Sequence, residues 1–203
     1  TLARDELLVS FPFIDSVTVG EPEHTFLELA QRLRMGRKWQ DVQGLAWNEG
    51  GTVRLNPFRS LIDPLDQLPF PSRPSPELLR GKGIANYLLG SRGCTNHCSF
   101  CYLTPFYQGM RRWRGRTPAN IVSEMAQLVE ATGSSNFYFA DGNFFGPGQG
   151  GQRRAQELSK RILEQGLRIQ FGMECRACDV QEDTLSLLQE AGLDRPGDGA
   201  GRE

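Results

Sequence analysis

The 203-residue sequence contains no run of eighteen apolar residues and no basic N-terminal segment leading into an apolar stretch. Neither a membrane-spanning helix nor a secretory signal is therefore legible in it. Net charge is also scarce: 23 Lys and Arg against 24 Asp and Glu leave −1, which removes the electrostatic case for nucleic acid or an anionic membrane as partner. Cysteine is sparse and unevenly placed, three residues crowded between positions 94 and 101 and two more at 175 and 178. That distribution is unlike the scattered framework of a small disulfide-bonded domain and suits a reducing compartment. A cytoplasmic protein is expected, long enough for one ordinary domain or for one domain and part of another.

What is present is organised around Cys94-Thr-Asn-His-Cys98-Ser-Phe-Cys101. Three thiolates at C-x3-C-x2-C spacing in one short loop can serve one metal centre, whereas a closed zinc or iron-sulfur site takes four ligands. One coordination position is left for something else. A partial zinc site or three buried thiols are the alternative readings.

Before this loop, residues Asp15 to Val19 read as a short strand, and Thr25 as the cap of a helix with Phe26, Leu29, Ala30 and Leu33 on its apolar face and Gly36 at its end. Gly44–Trp47 and Thr52–Leu55 flank Asn48-Glu-Gly-Gly51 and predict a β-hairpin. Prolines at 57, 64, 69, 71, 74 and 76 then forbid a helix or central strand and mark a linker or surface strap.

After the strap, strand and helix alternate three times. Tyr87–Gly90 leads into the cysteine loop, and Thr117-Pro118 opens a helix with Ile121, Val122, Met125, Leu128 and Val129 as its core face. Asn136–Ala140 and Arg168–Phe171 read as further strands, and Gln152–Gln165 and Asp183–Ala191 as further helices. Such alternation predicts parallel β/α architecture, with ligands at the C-terminal strand ends. The cysteine loop, the Asp141 loop and the segment Glu174–Asp179 all fall at that end.

The cysteine loop, with Phe100 just before its third cysteine, resembles the signature loop of radical S-adenosylmethionine (SAM) enzymes. Ser91-Arg-Gly-Cys94, Trp113-Arg-Gly-Arg-Thr-Pro-Ala-Asn120 and Glu174-x-Arg176 extend the match. Val19-Gly-Glu-Pro-Glu23 with its helix, and the Leu65-Asp-Gln-Leu-Pro-Phe-Pro71 strap, are similar to the branch in which a Rossmann-like cobalamin (B12) domain precedes the barrel. The Asp-x-His-x-x-Gly pattern of base-off B12 domains is missing, the only histidines being His24 and His97; many members of the branch lack it.

The fold implied is α/β: a partial parallel, TIM-like radical SAM barrel preceded by the C-terminal remnant of a B12-binding domain. Residues 1–55 are expected to form that remnant with the hairpin, 56–83 a Pro-rich linker, 84–193 the N-terminal half of the barrel and 194–203 an irregular tail. The chain thus reads as truncated at both ends.

The resemblance also implies a [4Fe-4S] cluster on Cys94, Cys98 and Cys101 whose fourth iron is chelated by SAM. Reductive cleavage of SAM to a 5′-deoxyadenosyl radical would follow, with cobalamin as a further implied cofactor for methyl transfer or rearrangement. A small-molecule or peptide substrate and an electron donor such as flavodoxin or ferredoxin are the implied partners. A radical enzyme without cobalamin, of the methylthiotransferase type, and a non-catalytic iron-sulfur fragment are the alternatives.

Phe100 is expected near the adenine, with Tyr102 supplying backbone contacts, although both residues also suit core packing. Asp141-Gly142 stands where the family places a motif receiving the methionyl amino group; a strand-end cap is the competing reading. Glu174 and Arg176 are expected on the SAM or substrate side of the mouth, with a solvated surface pair as the alternative. Cys175 and Cys178 read as core or incidental cysteines rather than ligands, and Arg111 to Arg116 as packing and local salt links about Trp113.

Overall fold

The computed structural model describes residues 4–73, 85–107 and 109–194. By internal contacts the chain divides into Thr1–Ile62 with Cys98–Met110, and Asp63–His97 with Arg111–Glu203.

The first unit carries α1 (Arg4–Ser10), β1 (Ser16–Thr18), α2 (Pro22–Arg34), β2 (Leu45–Glu49), β3 (Thr52–Leu55) and the short α3 (Leu103–Phe106). Its sheet is antiparallel in the order β1-β2-β3. The predicted hairpin turns on Gly50 and Gly51, with φ of 59° and 91°, a pair of left-handed residues that matches the twist of the flanking strands. Leu8, Val19 and Ala46 form one buried cluster, and Leu29, Val42 and Leu45 another.

Helix α2 departs from expectation. It starts at Pro22, three residues before Thr25, because the fixed φ of proline suits the first helical position. Thr25 is buried inside the helix and its hydroxyl donates to the Gln43 carbonyl at 3.0 Å. Of the expected apolar face only Leu29 is buried; Phe26 and Leu33 are 63% and 56% exposed. Polar partners set the helix rotation: Glu28 accepts from Arg32 at 2.6 Å and from Arg59, and Arg32 reaches Asp41 at 2.5 Å.

The second unit holds β4 (Asn86–Leu88), β5 (Ser91–Arg92), β6 (Arg114–Gly115), α4 (Pro118–Thr132), β7 (Asn136–Phe139), α5 (Gly148–Glu164), β8 (Gln170–Met173) and α6 (Glu182–Glu190). Strands β4, β7 and β8 form a parallel sheet in that order, and β5 pairs antiparallel with β6. This is the parallel β/α architecture that the alternation predicts.

Successive strand residues point to opposite faces, so Leu88, Phe137, Phe139 and Phe171 are buried against Ile121, Met125, Leu158, Ile162 and Leu188. Tyr87, Tyr138 and Gly172 stand on the other face in register. Burying each large apolar side chain of the helix-facing set contributes about 1.5–3 kcal/mol.

Helix α4 begins as predicted, Thr117 Oγ1 accepting from the Asn120 amide at 3.3 Å, and ends at Gly133 with φ of 68°. Helix α5 begins four residues before Gln152, inside the glycine run expected to be loop. Glycine is a poor helix former, yet at Gly151 a Cβ would lie 1.9 Å from the Phe145 carbonyl oxygen. The residue permits close passage of that loop across the helix.

Strand β8 lies two residues later than predicted. Beyond it, Leu193 forms a parallel bridge with Phe171, and the Asp194 amide donates to the Phe171 carbonyl at 3.0 Å. Residue 194, expected to open the irregular tail, is therefore hydrogen-bonded to the sheet edge. Residues 195–203, and 74–83 of the Pro-rich linker, lie outside the described residues.

Candidate metal and cofactor site

The segments that follow β4, β7 and β8 lie at the C-terminal ends of their parallel strands, and polar side chains tie them together. Arg154 on α5 donates to three carbonyls: Gly90 at 2.6 Å, Arg116 at 2.9 Å and Phe144 at 3.2 Å. Its guanidinium also lies 5.3 Å from the Trp113 ring centre and 5.7 Å from that of Phe144. Trp113 in turn donates its indole N–H to the Asn143 carbonyl at 2.9 Å. Arg154 was not legible as a site residue, because its position in a helix of ordinary polar pattern gives no local signal.

Asp141 is 2% exposed. One carboxylate oxygen accepts from the Gly90 amide at 2.7 Å and the other from the Ser91 hydroxyl at 2.6 Å. Burial pushes its carboxyl above the ordinary range, opposed by the Ser91 hydrogen bond and the charge of Arg154. Each carboxylate oxygen of Asp141 thus meets a donor from the corner after β4, and Gly142 beside it is exposed.

Past β8, the Glu174 carboxylate accepts from the Tyr138 hydroxyl at 3.0 Å. Burial and this bond both push the Tyr138 phenol upward. The Glu174 carbonyl accepts from the Phe144 amide at 3.0 Å, and Asn143 Nδ2 donates to Asp179 at 2.9 Å. Arg176 Nη1 donates to Asn96 Oδ1 at 2.6 Å, which attaches the third segment to the cysteine loop.

Cys94 Sγ accepts from the main-chain amide of Asn96 at 3.4 Å and from its Nδ2 at 3.3 Å. Cys98 is exposed, Cys101 is half-buried, and its amide donates to the Cys98 carbonyl at 3.1 Å. Phe100 and Tyr102 are 90% and 63% exposed, so neither fills core space. Cys175 and Cys178 are exposed in the turn after β8, so neither is a core residue and neither lies on a strand. Of the arginine run, Arg116 contacts Asn120 and Glu124 at 2.7 and 2.6 Å, and Arg112 pairs with Asp63; these are local links, as expected.

The family model of the radical SAM superfamily matches residues 88–199, more than half of the chain and the whole cysteine loop. The chain belongs to the radical SAM superfamily. Among curated relatives, an uncharacterized methyltransferase of Pyrococcus horikoshii is 33% identical over 187 residues, covering 89% of this chain and 39% of its own length. The cytidylyl-2-hydroxyethylphosphonate methyltransferase of Streptomyces wedmorensis is 27% identical over 215 residues, again with 89% and 39% coverage. The chain thus spans about two fifths of the length of these relatives. The cobalamin-dependent radical SAM enzyme OxsB, solved with aqua-cobalamin and SAM, shares the fold at a TM-score of 0.75 and 22% identity, over 96% of this chain and 29% of that one.

Three thiols in one short loop are a donor set whose chemistry would suit an iron-sulfur centre. All three loop cysteines are free thiols, and a sulfur already accepting two N–H bonds suits a thiolate ligand. Among the described residues no three His, Cys, Asp or Glu side chains gather about a single ion. Among the described residues no helix is long and apolar enough to cross a membrane.

Proposed function

We propose that this chain contributes the cluster-binding part of a cytoplasmic, cobalamin-dependent radical SAM enzyme that transfers a methyl group or rearranges a small-molecule or peptide substrate. The observation that carries the reading is the family match, which encloses a C-x3-C-x2-C loop at the C-terminal end of the first parallel strand. Cys94, Cys98 and Cys101 would hold a [4Fe-4S] cluster, leaving one iron for SAM. When bound, the cluster and SAM supply one-electron cleavage of a carbon-sulfur bond and a 5′-deoxyadenosyl radical, the electron coming from a donor such as flavodoxin or ferredoxin.

The chain's own residues orient and enclose. Phe100, exposed beside the third ligand, offers an apolar face to the adenine, and Tyr102 its adjoining main chain. Gly142, with no side chain, leaves main-chain groups open for the methionyl end, while the carboxylate of Asp141 holds the loop beneath it. Glu174 keeps the Tyr138 hydroxyl directed to the same strand ends. The names of the relatives and the cobalamin in OxsB support the choice of methyl transfer and of cobalamin.

Anaerobic reconstitution with iron and sulfide, followed by reduction with SAM present, tests this. About four irons per chain and release of 5′-deoxyadenosine are expected, both lost in Cys94→Ala, Cys98→Ala and Cys101→Ala. A full cluster without 5′-deoxyadenosine would sink the catalytic reading in favour of a cluster-binding fragment. Activity with no cobalamin retained or required would favour the methylthiotransferase type.

A further inference from the structure

Asn96 lies between two of the cysteine ligands in sequence, and its side chain is used at both ends. Nδ2 donates to Cys94 Sγ at 3.3 Å, alongside the Asn96 main-chain amide at 3.4 Å. Oδ1 accepts from Arg176 Nη1 at 2.6 Å. The amide orientation is fixed by this partner: turned over, it would set an NH2 group against a guanidinium, donor against donor. The guanidinium in turn stands 3.8 Å from the Asp179 carboxylate, and Asp179 accepts from Asn143. A chain of polar contacts thus runs from the loops after β7 and β8 to one ligand sulfur.

We infer that Asn96 and Arg176 act as a positioning pair that sets the reduction potential of the cluster through the sulfur of Cys94. The inference rests on the reading of that cysteine as a cluster ligand. Reduction adds negative charge to a cluster and its thiolates, so N–H donors aimed at a ligand sulfur stabilise the reduced form and raise the potential. The main-chain donor follows from the turn alone. The side-chain donor is the adjustable one, and Arg176 holds it by taking up the amide oxygen. This gives Arg176 a role other than direct contact with SAM or substrate: it acts on the sulfur through Asn96.

The test is an EPR-monitored redox titration of the reconstituted chain without SAM, on wild type, Asn96→Ala, Arg176→Met and the double variant. Iron and sulfide are counted first, and the midpoint is read on the loaded fraction, so partial loss of iron does not obscure the comparison. Each single variant is expected to have a more negative midpoint than wild type, and the double variant to lie no lower than Asn96→Ala. That non-additivity is the mark of one residue acting through the other. Unchanged midpoints in the loaded variants would overturn the inference. So would single-variant shifts that simply add, since Arg176 would then act by its charge alone. A wild type that loads no cluster would instead remove the underlying reading, an outcome the iron count separates from the other two.

Discussion

Arg154 Nη2 donates to the Gly90 carbonyl at 2.6 Å, from the middle of α5 to the corner where β4 gives way to the cysteine loop. Gly90 O already accepts from the main-chain amide of Arg116 at 2.9 Å, and Arg154 adds a second, charged donor from a helix more than sixty residues away in sequence.

Arg154→Met should therefore destabilise the chain by about 2–4 kcal/mol, through the loss of three charge-assisted bonds to carbonyls that water reaches poorly. Urea unfolding monitored by far-UV circular dichroism gives the value. A loss below about 0.5 kcal/mol, typical of surface substitutions, would mean that the carbonyls are satisfied without Arg154, as Gly90 O in part is by the Arg116 amide.

The corner should also resist added volume. A Cβ on Gly90 would stand 3.0 Å from Arg154 Nη2 and 3.2 Å from Asp141 Oδ2, and one on Gly146 only 2.4 Å from the Trp113 ring at a φ of +72°. Gly90→Ala is expected to cost about 1–3 kcal/mol by overpacking, and Gly146→Ala more, since both space and backbone oppose it. Hydrogen exchange on β7 and the loop after it would report the loss locally. Wild-type protection in Gly146→Ala would refute the account.

Asp66 and Thr117 offer a sharper measurement. Asp66 accepts from the Thr117 hydroxyl at 2.6 Å and from its amide at 3.0 Å, while Thr117 caps α4. Thr117→Ala should cost about 1–2 kcal/mol as a lost cap. Asp66→Ala should cost less in the Thr117→Ala background than in wild type, because one of its two bonds is already gone. Equal costs in the two backgrounds would show that the strap is held by Leu65 and its neighbours alone.

Acid sensitivity of the first unit should trace to Glu28. The hydrogen bond from Arg59, reinforced by Arg32 and opposed by burial, holds its carboxyl below the ordinary range. A lowered folded value means stabilisation that is present above the unfolded value of about 4.3 and is lost as pH falls through the folded one. The melting-temperature advantage of wild type over Glu28→Gln should accordingly be constant near neutrality and shrink as pH falls below about 4. An advantage that persisted there would rule Glu28 out as the acid-sensitive group.

The parts legible in the sequence were those fixed by local chemistry. Thr117-Pro118 announced α4, Gly50-Gly51 the hairpin, and the cysteine spacing the radical SAM loop. The parts that were not legible depend on partners distant in the chain. Thr25 has every local qualification for a cap, yet Gln43 takes its hydroxyl and Pro22 starts the helix earlier. Phe26 and Leu33 sit at helical spacing, yet the contacts of Glu28 and Arg32 turn them outward. Asp141 carries no sequence sign of the Gly90 amide and Ser91 hydroxyl that meet its two carboxylate oxygens in the fold. Asn96, unmarked in the sequence between two cysteines, acquires meaning only when Arg176 arrives from eighty residues on.

Gly172 faces Tyr138 across β7 and β8, where a Cβ would come within 2.9 Å of the phenol ring. The ring rests against bare main chain, much as a lever rests on its stop. The reach of the Tyr138 hydroxyl toward Glu174 is then gauged by the spacing of two strands, a dimension that hydrogen bonding holds nearly constant. A side chain at 172 would lift the lever, and the hydroxyl would lose its fixed measure toward Glu174.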